Sequence, residues 1–187
     1  MLARDTPGVE DLLFAFGSLA ATAGGRPARL HGLRRTWGVA MDNRRVIPGY
    51  KVWVDPATGE RPPVHVAFLD LEEAGPGAAV SGVLLPVTAA VLPGLDRRER
   101  NYLRQEVTDR TDPCGARVWA YLGRPEARLR CAEARRQGTA VVARAYADAV
   151  RAAFAARGPA ALAAYEASTA APGMPLADLE RIEVPPA

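Results

Sequence analysis

The stretch that decides the reading runs from Leu12 to Ala20, LLFAFGSLA. Its apolar run, Leu12 to Phe16, suits a short strand buried on both faces, and such runs are bounded by turn residues. The run stops at Gly17-Ser18. A glycine just past a strand permits a positive φ and lets another group come close to the backbone. Amides that then converge on one space form a nest able to hold a carboxylate or a developing oxyanion. An ordinary tight turn explains the same two residues, and on local grounds it is the simpler reading. Ser18 is not framed as G-x-S-x-G, so it is a poor nucleophile-elbow serine.

Outward from this stretch, the first two-thirds of the chain read as strands joined by turns. Leu30 to Met41 fits a half-buried strand, and Tyr50 to Val54 fits another. DPATGERPP supplies turn chemistry before VHVAFLDL, and AVSGVLLPV is a further apolar run. Glu106 to Arg110 and Ala116 to Leu122 read as two more strands. From Pro125 onward alanine and arginine dominate, and no strong breaker falls between Thr139 and Arg157. Val142, Tyr146, Ala149, Val150, Ala153 and Phe154 recur at helical spacing and predict one apolar stripe, expected to be buried. ALAAYEAS predicts a short helix, and the proline-rich tail is expected to lie along the surface. Strands followed by helices indicate an α+β fold, with the strands in a curled sheet or small barrel.

Composition narrows the function classes. The chain has 187 residues and a formal net charge of +3, with Lys51 as its only lysine. Its arginines are scattered among acids, and no basic run is interleaved with aromatics, which argues against a nucleic-acid role. Its two cysteines, Cys114 and Cys131, give no disulfide framework, so a reducing cytoplasm is the expected location. No apolar run reaches the length of a membrane span, and MLARDTPGVED lacks the apolar region of a signal peptide. His31 and His65 are the only histidines, so a Ser-His-Asp triad has few possible parts, and two histidines and two cysteines far apart in sequence give no metal-ligand spacing. TAGGRP follows neither the P-loop nor the dinucleotide pattern.

One further segment carries candidate chemistry. LLPVTAAVLPGLDRRERNYLRQEV runs from a strand through a turn into LDRRERNY. Asp96 with Glu99 three residues later has the form of a capping box, in which Glu99 faces solvent and reaches back to the Asp96 amide. The alternative is that Glu99 points into a cleft and acts as a general base, with a pKa raised by burial. Arg97, Arg98 and Arg100 are expected on other faces of the turn and fit either reading.

Taken together, Phe16-Gly17-Ser18-Leu19 and Leu95-Asp96-Arg97-Arg98-Glu99, with Tyr102 after it and VSGVLLPV before it, resemble the γ-glutamylcyclotransferase-like superfamily. That family ends its first strand in Tyr-Gly-Ser-Leu or Tyr-Gly-Ser-Asn and carries its acid in Leu-Asp-x-x-Glu. The resemblance covers residues 11–123. HGLRRTWGVAMDN, IPGYKVW and the helical C-terminus are similar to the ChaC-type branch. The resemblance implies a barrel domain over 11–123 and a helical extension packed on it over 124–187.

It also implies a reaction without a cofactor or metal. The α-amine of a γ-glutamyl compound attacks its own γ-carbonyl and releases 5-oxoproline, as an intramolecular nucleophile already near the carbonyl can. Glu99 is implied as the acid/base, and Phe16, Gly17, Ser18, Leu19 and Tyr121 as substrate-binding residues. Tyr102 is either pocket wall or core. Phe16 stands where the family has tyrosine, and Arg100-Asn101 where ChaC-type proteins have a glycine pair. Glutathione, a γ-glutamyl amino acid, a γ-glutamylamine or a biosynthetic intermediate all remain open as substrate. The expected partner is a small γ-glutamyl substrate, with no nucleic acid or membrane, in a monomer or homodimer. The alternatives are a non-catalytic small-ligand-binding module and an interaction protein using an exposed C-terminal stripe.

Overall fold

In the computed structural model, which describes residues 11–187, the opening apolar run forms β1 (Asp11–Ala15), and every residue of it is buried. β2 (Arg26–His31), β3 (Leu33–Asp42), β4 (Lys51–Val54), β5 (His65–Glu73) and β6 (Ala79–Val87) follow. A helix, α1 (Leu92–Arg98), leads into β7 (Tyr102–Glu106) and β8 (Arg117–Gly123). Then come α2 (Pro125–Arg136), β9 (Ala140–Ala143), α3 (Arg144–Ala155) and α4 (Pro159–Ala167), with β10 (Leu176–Ala177) and β11 (Glu180–Glu183) in the tail. The class is α+β. The strands form three sheets, ordered β2-β6-β1-β8-β7, β10-β9-β5-β3 and β11-β4, and none of them closes into a barrel.

β1 is apolar from Leu12 onward because it is central. It pairs antiparallel with β6 on one side and parallel with β8 on the other, and both of its faces are buried. Leu13 and Phe14 are each 1% exposed, and burying such a side chain contributes about 1.5–3 kcal/mol. Gly82 on β6 serves the same packing: the Phe14 ring occupies the space that a Cβ there would fill. Asp11 opens the strand and is held by Arg117 of β8 at 2.8 and 2.9 Å, which fixes the parallel register.

Several expected boundaries move. Leu30 to Met41 is two strands, because Gly32 turns the chain at φ 76° between β2 and β3. Glu106 to Arg110 is only the end of β7 followed by a single helical turn at Thr108–Arg110. The stretch after Thr139 is not one helix: Ala140–Ala143 pairs with β5 and β10, and the helix starts only at Arg144. β-branched Val141 and Val142 suit that strand. Val142 therefore belongs to a sheet rather than to the helical stripe, and Ala149 is exposed. Val150, Ala153 and Phe154 are buried against the core. The tail supplies strands to two sheets, with β11 antiparallel to β4.

Two buried charges pin the C-terminal elements. Arg35 on β3 is fully buried, and its guanidinium lies 5.1 Å from the Phe154 ring centre and 4.8 Å from that of Tyr165. It donates to Thr169 Oγ1 at 2.8 Å, to Ser168 Oγ at 3.2 Å and to the Ser81 carbonyl. Burial lowers its pKa to about 10, which leaves it charged at neutral pH. Asp70 on β5 is also fully buried and accepts from Arg128 of α2 at 2.6 and 3.2 Å. No helix among the described residues is long and apolar enough to cross a membrane.

Candidate active site

The site forms where β1 ends. Beyond Ala15 the chain passes through Phe16 and Gly17 into one 3-10 turn, Ser18–Ala21. The first amides of such a turn have no acceptor within it. Gly17 has φ −123°, so the turn does not need a left-handed residue. Glycine suits the space instead: a Cβ would lie 3.1 Å from the Tyr146 hydroxyl of α3, closer than an ordinary van der Waals contact.

β8 and β7 bring the second half. In the parallel β1–β8 register Leu13 faces Trp119, which sets Tyr121 level with the end of β1. Tyr102 opens β7 opposite Gly123, and its amide donates to the Glu99 carbonyl at 2.9 Å. Glu99 therefore hangs at the same end of the sheet as Gly17. Phe16, Gly17, Ser18, Leu19, Glu99, Tyr102, Tyr121 and Tyr146 line one pocket, with Phe14, Ala15 and Leu69 behind them. All the residues singled out from the sequence as site candidates meet in that pocket.

The capping box is absent. α1 begins at Leu92, with Pro93 in its first turn, where a fixed φ and a missing amide suit a helix start. Asp96 thus lies inside the helix and Glu99 caps its C-terminal end. The Asp96 carboxylate instead accepts the Tyr121 hydroxyl at 2.7 Å and Arg104 at 3.1 and 3.2 Å.

Glu99 has a side chain only 17% exposed. Burial pushes its carboxyl above the usual carboxylate range, and the charges of Lys51, Arg98 and Arg181 oppose that rise. Arg98 is not on another face, as expected from the sequence, but places Nε 3.4 Å from Glu99 Oε1. Lys51 is packed over the Phe68 ring at 4.4 Å, and burial lowers its pKa to about 8. A carboxylate whose proton affinity is raised by burial, against the pull of nearby cations, is suited to taking up and releasing a proton.

The tyrosines are fixed by their own contacts. Tyr102 donates to the Leu69 carbonyl at 2.7 Å, so it is both core and pocket wall. Tyr146 meets Trp37 and Phe68 edge-on at 6.1 and 5.1 Å. Burial raises the pKa of Tyr102, Tyr121 and Tyr146, which keeps these phenols protonated. Phe16 is 7% exposed and gives that part of the wall no hydroxyl.

Several site residues have no clear signal in the sequence. Tyr146 sits at helical spacing and is legible only as core. Lys51 and Arg181, whose charges act on Glu99, are brought together by the β4–β11 pairing, which no local pattern announces. The lone lysine in a chain so rich in arginine is the one visible hint.

The chain is similar to a solved gamma-glutamyl cyclotransferase. The two are 15% identical, with a TM-score of 0.49, over 87% of this chain and 89% of that one. YkqA from Bacillus subtilis aligns at 13% identity and TM-score 0.49, over 79% of this chain and 49% of its own. An uncharacterized human protein aligns at 18% and 0.39, over 62% of this chain and 67% of its own. No family model matches the chain, and no curated protein matches it significantly. Likenesses at these identities and TM-scores carry nothing about reaction or substrate, and do not reach the ChaC-type branch. The chemistry rests on the pocket itself.

The remaining candidate groups lie elsewhere. His31 pairs with Asp112 at 2.9 Å on the surface, and His65 bonds Thr139 Oγ1 at 3.1 Å. Cys114 and Cys131 are both free thiols. Among the described residues no three His, Cys, Asp or Glu side chains are grouped to hold a metal.

Proposed function

We propose that this chain is a γ-glutamyl cyclotransferase that uses Glu99 as its acid/base. One observation carries the reading: a largely buried carboxylate of raised pKa shares a pocket with the opening of the Ser18–Ala21 turn, whose first amides have no acceptor within it. The amide side of such a pocket suits the carboxylate and carbonyl oxygens of a glutamyl group. The Glu99 side suits its α-ammonium.

The atoms balance without a second reactant. Glu99 takes a proton from the α-ammonium, and the freed amine attacks the γ-carbonyl. A new C–N bond closes the five-membered ring, Glu99 passes that proton to the leaving nitrogen, and the old amide C–N bond breaks. The second proton of the ring nitrogen follows by the same route, so the leaving amine departs protonated. The products are 5-oxoproline and an amine. The nucleophile and electrophile belong to one molecule, so the pocket needs only to fold the substrate and shuttle the proton.

The reading is tested by incubating purified protein with a panel of γ-glutamyl amino acids, glutathione and γ-glutamylamines and assaying 5-oxoproline. Release from at least one member is expected, and its loss in Glu99→Gln. Full activity in Glu99→Gln would remove the acid/base role. Binding without turnover would favour the second reading, a ligand-binding module on the same fold, for which the missing hydroxyl at Phe16 is the supporting observation.

A further inference from the structure

The Asp96–Tyr121 bond decides what the pocket can recognise. An ionised carboxylate has acceptors only, so the proton in the 2.7 Å contact comes from Tyr121. Arg104 donates to both Asp96 oxygens and holds the carboxylate in place. Arg104 itself is steadied over the Trp119 ring at 5.0 Å. With its one proton engaged, the Tyr121 oxygen has only lone pairs left for the pocket. Tyr102 is in the same state, because its proton goes to the Leu69 carbonyl. Glu99, in the carboxylate form from which the proposed reaction starts, is a third group that can only accept. Three acceptor groups on one pocket call for a compact group with several N–H donors, which is an ammonium.

We propose that Asp96 is a positioning residue that turns Tyr121 into an acceptor for the substrate's α-ammonium. This rests on the cyclotransferase reading and deepens it. Asp96 touches no substrate in this scheme. It fixes the direction of one hydrogen bond and so makes the pocket prefer an α-amine over the same compound without one. A merely structural Asp96, joining α1 to β7 through Arg104, would affect all ligands alike.

The test is equilibrium binding by calorimetry to the full chain carrying Glu99→Gln, so that nothing is turned over. The probes are γ-L-glutamyl-L-alanine and glutaryl-L-alanine, which differ only in the α-amine. The amine-bearing probe is expected to bind about tenfold tighter, as one charge-assisted bond permits. Adding Asp96→Ala should bring the ratio close to one, and Tyr121→Phe should do the same. The two together should lower it no further, since both remove one interaction. Asp96→Asn should keep most of the ratio, because its amide oxygen still accepts the phenol proton. The proposal is overturned if the parent shows no preference, if Asp96→Ala weakens both probes equally, or if Asp96→Asn behaves as Asp96→Ala. If neither probe binds and the unsubstituted protein releases no 5-oxoproline from any γ-glutamyl compound, the cyclotransferase reading fails and the proposal falls with it.

Discussion

Asp70 and Glu99 are both buried carboxylates, and they have opposite fates. Asp70 is surrounded by donors: Arg128 at 2.6 and 3.2 Å, and the Leu71 and Gly123 amides at 2.8 Å each. Its oxygens are committed to joining β5, β8 and α2. Glu99 has one guanidinium at 3.4 Å and a pocket in front of it. A carboxylate with its partners built in is part of the scaffold. One whose charge is costly and incompletely compensated is free to exchange a proton. Burial alone does not separate the two; the number of local donors does.

The sharpest way to break this contrast is to neutralise each group in turn. Glu99→Gln should lower kcat/KM by about 10²–10⁴-fold, the usual worth of acid/base catalysis. It should not lower the melting temperature. The folded pKa of Glu99 is raised above its unfolded value, so the wild type loses stability as pH rises through that interval. The variant's melting temperature relative to wild type should therefore be higher at pH 7 than at pH 4, as calorimetry at the two pH values will read. Asp70→Asn should lower stability and spare activity. Its remaining oxygen can still accept both amides, but Arg128 Nε then faces an amide nitrogen, which should cost about 1–3 kcal/mol in urea unfolding, with kcat per folded molecule nearly unchanged.

Lys51→Met tests what holds the Glu99 charge in range. The Lys51 charge is the largest influence pulling the Glu99 pKa down. Without it that pKa rises further, so the acid limb of the pH–rate profile should move to higher pH. In the wild type this support should fade above about pH 8, where Lys51 itself loses its proton. A profile unmoved by the substitution would mean that Arg98 and Arg181 suffice. Phe16→Tyr is the mildest change. It returns a hydroxyl to the pocket wall, and one neutral hydrogen bond of about 0.5–1.5 kcal/mol should lower KM about two- to tenfold with little change in kcat.

Part of this contrast is legible in the sequence. β1, β6 and β8 announce themselves because a central strand shows as an unbroken apolar run. Gly17 and Glu99 are legible as a pair only through the resemblance of their two segments to one family. Locally, Gly17 reads as a turn and Glu99 as a cap. The start of α1 is misplaced because Asp96 and Glu99 match a capping pattern, while Pro93, which opens the helix, reads as a turn. The Asp70 clamp has no signature at all, because its donors come from β5, β8 and α2. Tyr146 is hidden for a related reason: periodicity tells which residues face inward, but not whether inward means core or pocket.

The Asp11–Arg117 pair joins positions 106 apart in the chain, and it marks the register that sets Tyr121 beside the end of β1. Closing so long a loop has an entropic cost that no local contact repays, so parallel pairing of this kind belongs late in folding. Half the pocket arrives with β1 and the other half with α1, β7 and β8. A partly folded chain therefore has no partial site, and recovery of activity during refolding should trace the final docking of β8 rather than the earlier collapse of the β3–β5 and β2–β6 pairs.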